Sequence, residues 1–246
     1  MEQNVALIVC GAGQSSRFGK KTKKIFHKVG GSALFIKAIE PFLSHDSVKQ
    51  IILTIDAADQ EKLEINHGAF CDFNGIKVVH GGKERCESVN NALQTLRDDI
   101  NLVAIHDAAR CCIKRKWIDE VFDTAAQTGA AMLAAPVTAT LKKVEDGIIT
   151  ATVERDGMYE AQTPQVFRRD IIEKAYARLD GHEDKAAVSD DSILVENIGE
   201  KVHIVKTDYS NLKITVPGDI PIVEAVLKTF APKKQAPLGA FEEAQW

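Results

Sequence analysis

The chain has 246 residues, 45% of them hydrophobic and 27% charged, with a formal net charge of −4. At about 100–200 residues per domain, that length allows one large domain or two small ones. The composition excludes a disordered, collagen-like or low-complexity chain, and the weak negative charge excludes a global basic field for nucleic acid or acidic membrane.

Val5–Cys10 is a continuous aliphatic run, which predicts a buried strand. Ser32 is placed to cap a helix through about Leu43, with Leu34, Ile36, Ile39, Phe42 and Leu43 on its apolar face. Gln50–Ile55 and Ile76–His80 read as strands, and a helix follows from about Glu84 to Leu96. Leu102–His106 is a further apolar run; Lys116–Ala126 reads as a helix and Ala130–Pro136 as a strand. This alternation predicts a mostly parallel sheet with helices on both faces, joined by right-handed crossovers. The rhythm changes over Val137–Val153, where threonines flank Glu145-Asp146-Gly147. Asp-Gly between β-prone segments signals a hairpin, so a protruding β-arm is expected at about 137–155. Helices are expected at Arg169–Leu179 and Ser189–Asn197, and late strands at Lys201–Lys206 and Leu212–Val216. Pro217 starts a last helix through about Phe230, and 231–246 reads as a loose tail. With no linker or repeat, residues 1–230 are expected to form a single domain. The five cysteines are odd in number and contain no C-x-x-C pair, which argues against a disulfide framework and a zinc cage. Met1-Glu2-Gln3-Asn4 lacks a basic signal-peptide region, and no run approaches the roughly 18 apolar residues of a membrane span. The expectation is a reduced, cytoplasmic protein that partners neither nucleic acid nor membrane.

The sharpest local signal follows the first strand: Gly11-Ala12-Gly13, then Arg17, Gly19, Lys20, Lys21, Lys23 and Lys24. Small residues at a strand's carboxyl end let backbone amides approach an anion closely. The dinucleotide fingerprint fails, because Ser16 stands where a third glycine or alanine belongs. The Walker A pattern fails too, because five residues separate Gly13 from Gly19. Two readings remain: a solvated basic loop, or a cradle for a nucleoside triphosphate. A second signal is His106-Asp107-Ala108-Ala109-Arg110. Asp107, just past a strand, is well placed for magnesium. His106 reads as a hydrogen-bonded core residue and Cys111-Cys112 as core filling, since a vicinal disulfide is strained.

Gly11-Ala12-Gly13 with Arg17 and Lys24, Gly81-Gly82-Lys83-Glu84-Arg85 with Ser88-Val89, His106 to Arg110, Ala135-Pro136-Val137, Thr152 to Arg155, Ala161 to Gln165, Asp190-Asp191 and Asn211 to Thr215 stand in one order and spacing. Together, over about residues 5–230, they resemble the 2-C-methyl-D-erythritol 4-phosphate cytidylyltransferase family. That resemblance implies an α/β nucleotidyltransferase fold whose β-arm hooks a partner in a homodimer. It implies transfer of CMP from CTP to methylerythritol phosphate, with Mg²⁺, giving CDP-methylerythritol and pyrophosphate for non-mevalonate isoprenoid synthesis. It makes Arg17 and Lys24 the pair that stabilises charge at the α-phosphate. Gly11, Ala12, Gly13, Gly82, Lys83 and Ser88 match the CTP pocket, and Asp107 matches the position near Mg²⁺ and the ribose. Arg110, Thr140, Arg155, Thr163 and Lys213, with Asp107, match the sugar-phosphate site; Arg155 and Lys213 also match catalytic positions. The attacking phosphate is already anionic at pH 7, so no general base is required.

Four positions depart from the family pattern: Lys23 for proline, Gly11 for alanine, Ala139 for aspartate and Ser189 for threonine. Three alternatives stand beside this reading. One is a ribitol 5-phosphate cytidylyltransferase of the same structural family. Another is a sugar-phosphate uridylyl- or thymidylyltransferase, against which Ser15-Ser16-Arg17 speaks. The third is a nucleotide-binding protein without catalysis, disfavoured by the presence of Arg17, Lys24 and Asp107.

Overall fold

The computed structural model describes residues 2–13, 17–19, 23–181 and 184–230; the expected tail at 231–246 lies outside them, as do Gln14, Ser15, Ser16, Lys20, Lys21 and Thr22 of the first loop. The chain opens with β1 (Val5–Cys10), then the short hairpin β2 (Lys28–Val29) and β3 (Ser32–Ala33), which leads into α1 (Leu34–Leu43). There follow β4 (Val48–Ile55), α2 (Gln60–Phe73), β5 (Ile76–His80), α3 (Arg85–Leu93), β6 (Leu102–Asp107), α4 (Arg115–Thr128) and β7 (Ala130–Pro136). The arm is β8 (Leu141–Glu145) and β9 (Ile148–Val153). Last come β10 (Tyr159–Arg168), α5 (Arg169–Tyr176), α6 (Ser192–Glu196), β11 (His203–Lys206) and α7 (Asp219–Phe230).

Seven strands form one sheet in the order β11-β7-β10-β6-β1-β4-β5. All neighbours pair in parallel except β10, which runs antiparallel between β6 and β7. Alternation within each strand splits the core into two layers. Val5, Leu7 and Val9 of β1 join α1, α2 and α4 on one face, around Phe35, Phe42 and Phe122. Ala6 and Ile8 join α3, α5 and α6 on the other, around Val89, Phe167 and Leu194. Helices therefore cover both faces, as the βαβα pattern predicts. A third cluster seats α7 through Val223 on Val29, Leu34, Cys112 and Ile214.

The arm stands apart: β8 and β9 pair only with each other. Its turn residues Asp146 and Gly147 both have positive φ, 49° and 81°, the mirror-image geometry that matches strand twist. Its side chains face outward, with Ile148 70% exposed.

Several expectations are corrected. Ser32 does not cap α1; it pairs in β3, and α1 starts at Leu34 with no side-chain cap. Helix α2 was not legible because only Leu63 and Cys71 are buried, too few to make an apolar stripe. Strand β10 was not legible, and its pairing with β7 shifts register between Ala161 and Gln165. Leu212–Val216 is not a strand. The amides of Thr215 and Val216 go to the Asp219 carboxylate at 2.7 and 2.9 Å, and only the Ile214 amide reaches the 108–110 turn, at Ala109 O. The last helix begins at Asp219 rather than Pro217.

Phe167 sits in β10 with no exposure and fills the layer under α5. Phe167→Ala is expected to cost about 3–5 kcal/mol, the usual range for emptying a buried aromatic site. Urea unfolding checks this as a lower midpoint at unchanged slope.

Candidate active site

Because β1, β4, β5 and β6 are parallel, their carboxyl ends share one edge of the sheet. The chain leaves β1 toward β4 on one side and has β6 on the other, so the crevice opens where strand order reverses. The loops after β1 and β5 touch there. A Cβ on Gly81 would lie 2.3 Å from Ala12 Cβ and 2.6 Å from Ser88 Oγ. A Cβ on Gly11 would lie 2.7 Å from the Thr54 carbonyl oxygen, so glycine stands where β4 comes closest. The Ser88 hydroxyl donates to Glu84 O and accepts the Gly82 amide, at 3.2 and 3.1 Å, which shapes the turn into α3.

The cavity between these loops has a volume of about 290 Å³. Its lining brings together ten expected residues: Gly11, Ala12, Gly13, Arg17, Lys24, Gly82, Lys83, Ser88, Asp107 and Lys213. Lys24 Nζ donates to Ile214 O at 2.9 Å. Burial first, then the neighbouring Lys213 and Arg17 charges, lower the Lys24 pKa, with Asp107 opposing. Lys23 pairs with Asp56 and Asp59 at 3.0 and 3.3 Å, just before Lys24 in the chain. Burial pushes the Cys10 thiol up to about 12, so it lines the cavity as a neutral group.

Asp107 ends β6 and is 6% exposed. Lys213 Nζ lies 2.9 Å and Arg110 Nε 3.4 Å from its Oδ2, and Arg85 Nε lies 3.6 Å from Oδ1. Burial by itself would raise its pKa; Lys213, Arg85 and Arg110 outweigh burial and hold the carboxyl far below the usual range. Among the described residues no cluster of three or more His, Cys, Asp or Glu side chains could hold a metal ion. The donor set fits a hard cation shared between one carboxylate, Asp107, and substrate phosphates, the usual habit of Mg²⁺.

Behind Asp107, a buried chain fixes its backbone. The Asp107 amide donates to Thr163 Oγ1 at 3.0 Å. Thr163 Oγ1 lies 3.0 Å from His106 Nδ1, and His106 Nε2 lies 2.8 Å from Arg110 O. A carbonyl only accepts, so Nε2 carries the proton and Nδ1 accepts from the threonine hydroxyl. Burial lowers the His106 pKa to about 4, keeping the ring neutral as that pattern requires. His106 is thus the hydrogen-bonded core residue expected from sequence.

Four expected site residues do not line this cavity. Thr163 is taken up by that chain, and Arg110 is turned inward, its guanidinium donating to Asn211 O and Ala161 O at 2.7 and 3.2 Å. Thr140 and Arg155 are exposed at the base of the arm, where Arg155 donates to Thr138 O. Conversely, Thr54, Glu84, Arg85 and Thr215 line the cavity, although the resemblance assigns none of them a role. Arg85 was within reach, since it closes the quoted Gly81–Arg85 run. Its distant partners gave no local sign.

Glycine turns in close contact, set beside fixed cations at this edge of a mostly parallel sheet, give the chain the features of an α/β nucleotidyltransferase. Its sequence belongs to the 2-C-methyl-D-erythritol 4-phosphate cytidylyltransferase family, whose model matches residues 5–229. Members of this family are cytidylyltransferases. A relative of that name from Rhodopirellula baltica is 39% identical over 91% of this chain and 95% of its own. One from Bacillus licheniformis is 35% identical over 92% and 96%. The crystal structure of 4-diphosphocytidyl-2C-methyl-D-erythritol synthase from Anaerococcus prevotii superposes with a TM-score of 0.78 at 27% identity, covering 93% of this chain and all of that one. Among the described residues no helix is long and apolar enough to cross a membrane.

The neutral His106 makes stability pH-dependent. Unfolded, it titrates near its ordinary 6.5; folded, near 4. Between those values only the unfolded chain takes up the proton, so this contribution is complete above pH 6.5 and lost as pH falls toward 4. The shift corresponds to about 3 kcal/mol. Asp107 acts in a separate, more acidic window, below its ordinary 3.8. His106→Gln is expected to flatten the decline between pH 6.5 and 4 relative to the parent protein, measured by urea unfolding across pH.

Proposed function

We propose that this chain transfers CMP from CTP to 2-C-methyl-D-erythritol 4-phosphate. An oxygen of the sugar phosphate attacks the α-phosphorus of CTP in line. The bond from that phosphorus to the bridging oxygen of the β-phosphate breaks, and its electron pair leaves on pyrophosphate. The observation that carries the reading is the crowding of Lys24, Lys213 and Arg17 at one cavity, where burial first and then the Lys213 and Arg17 charges depress the Lys24 pKa. These crowded cations are relieved further when phosphate arrives, and most as charge builds on pentacoordinate phosphorus. Arg17 and Lys24 are assigned to that phosphorus, and Lys213 to the phosphates of both substrates. Asp107 would hold Mg²⁺ together with the CTP phosphates, where the ion supplies neutralising charge. Ala12, Gly13, Gly82, Lys83 and Ser88 are assigned to cytosine; the tight contact between the two loops excludes a purine by size. A cytoplasmic setting accords with five free cysteines.

The arm is assigned to a partner subunit. A lone two-stranded hairpin is marginal in water, and this one exposes Val144, Ile148 and Ile149. Thr140 and Arg155 then complete the sugar-phosphate site of the other subunit in a homodimer, which accounts for their absence from the cavity of their own chain.

Lys24→Met and Arg17→Met are each expected to lower kcat by about 10²–10³ at saturating CTP while far-UV circular dichroism is unchanged. Pyrophosphate release with methylerythritol phosphate measures it, with ribitol 5-phosphate as the competing acceptor. Near-normal turnover of either variant removes that residue from the phosphorus.

The shared site has its own test. Lys24→Met and Arg155→Met proteins are prepared separately and mixed under conditions of subunit exchange. Random exchange makes half the dimers mixed, each with one intact site, so activity is expected to return to about a quarter of wild type. No recovery despite proven exchange means that the arm serves its own chain.

A further inference from the structure

Three segments of the family resemblance have no role in the reading above: Arg85, Gln165 and the Asp190-Asp191 pair. The fold brings them to one place behind the cavity floor. Gln165 of β10 receives the amides of Asp191 and Ser192 on its Oε1, both at 3.0 Å, and donates from Nε2 to Asp190 Oδ2 at 2.9 Å. The turn into α6 is thereby stapled to an inner strand of the sheet. Asp191, with no exposure, accepts the Tyr176 hydroxyl on Oδ1 at 2.6 Å and faces Arg85 Nη2 from Oδ2 at 2.7 Å. Burial and the Asp191 charge raise the Tyr176 pKa, so the phenol stays protonated and remains a donor.

Arg85 thus stands between two carboxylates. It is ion-paired with Asp191 at 2.7 Å, while its Nε lies 3.6 Å from Asp107 Oδ1. The side chain is 23% exposed and lines the cavity. Without Asp191, its nearest counter-ion would be Asp107, and the guanidinium would close that gap. We propose that Asp191, anchored by Tyr176 and Gln165, holds Arg85 back from Asp107 so that the Oδ1 edge of Asp107 remains presented to the nucleotide. Arg85 and Asp191 are positioning residues. The long guanidinium reaches both carboxylates, and the shorter contact decides where it rests. This inference rests on the CTP reading of the cavity.

The test is calorimetric titration with CTP and MgCl₂ in the absence of the second substrate, with thermal unfolding in parallel. Asp191→Asn is expected to raise the Kd for CTP about tenfold or more, as loss of an orienting partner does. Tyr176→Phe, which removes one hydrogen bond at almost constant volume, is expected to raise it about threefold. In an Arg85→Gln background, Asp191→Asn is expected to change the Kd no further, because no guanidinium remains to swing. A merely structural role lowers the melting temperature without moving the Kd. Folded Asp191→Asn with wild-type affinity overturns the proposal, and so does an undiminished Asp191→Asn effect in the Arg85→Gln background. Should Asp191→Asn fail to fold, an unchanged Kd in Tyr176→Phe overturns it instead. Failure of the wild-type protein to bind CTP would remove the nucleotide reading, and this proposal with it; binding by all variants alike removes this proposal alone.

Discussion

The carboxylate of Asp107 lies at the end of a buried strand, and three cations from three parts of the chain converge on it. Burying it unpaired would cost several kcal/mol, so the folded state depends on bringing those cations in. Lys213 arrives on a segment with no regular structure, Arg85 on the first turn of α3, and Arg110 on the turn directly after β6. Each contact also positions a piece of the cavity wall. The same charge that stabilises the floor therefore aligns the residues assigned to the phosphates.

The segment bearing Lys213 shows how this is done without a strand. Arg110 and Gln162 hold it from one side: Arg110 donates to Asn211 O, and Gln162 Oε1 accepts from Asn211 Nδ2 and from Thr207 Oγ1. Asp219 holds it from the other by receiving two of its amides. Gln162 belongs to β10, the one antiparallel strand of the sheet. That insertion has a second consequence. The chain must leave β7, turn back and re-enter between β7 and β6, and the arm fills the excursion. Arm and cavity are thus two products of one topological step.

Crowded cations are a cost to the resting protein and an asset to the proposed reaction. The Lys24 ammonium is destabilised by burial and by Lys213 and Arg17, and its hydrogen bond to Ile214 O ties it to the Lys213 segment. A phosphate entering the cavity meets charges already oriented, so little reorganisation remains when the transition state forms. Lys23, paired with Asp56 and Asp59, ties the chain just before Lys24 to the end of β4.

The parallel strands, their carboxyl-end loops, the Asp-Gly hairpin and most of the cavity lining are legible in the sequence. The strands, loops and hairpin rest on local rules, in which strand runs declare burial, glycines declare close approach and a turn dipeptide declares its own geometry; the cavity lining beyond the first loop and Asp107 rests on the family resemblance. The rest follows from contacts between segments distant in the chain. Helix α2 buries two side chains and so lacks a stripe, and β10 shifts register against β7 between Ala161 and Gln165. The apolar run Leu212–Val216 gives its amides to Asp219 and Ala109 instead of a strand. Arg110 and Thr163 carry site-like motifs yet turn inward, while Arg85 lines the cavity although the resemblance assigns it no role. The reason is common to all of these. A residue type states what it can bond, but the partner of a buried charge or amide is chosen by the fold, from segments far away in the chain.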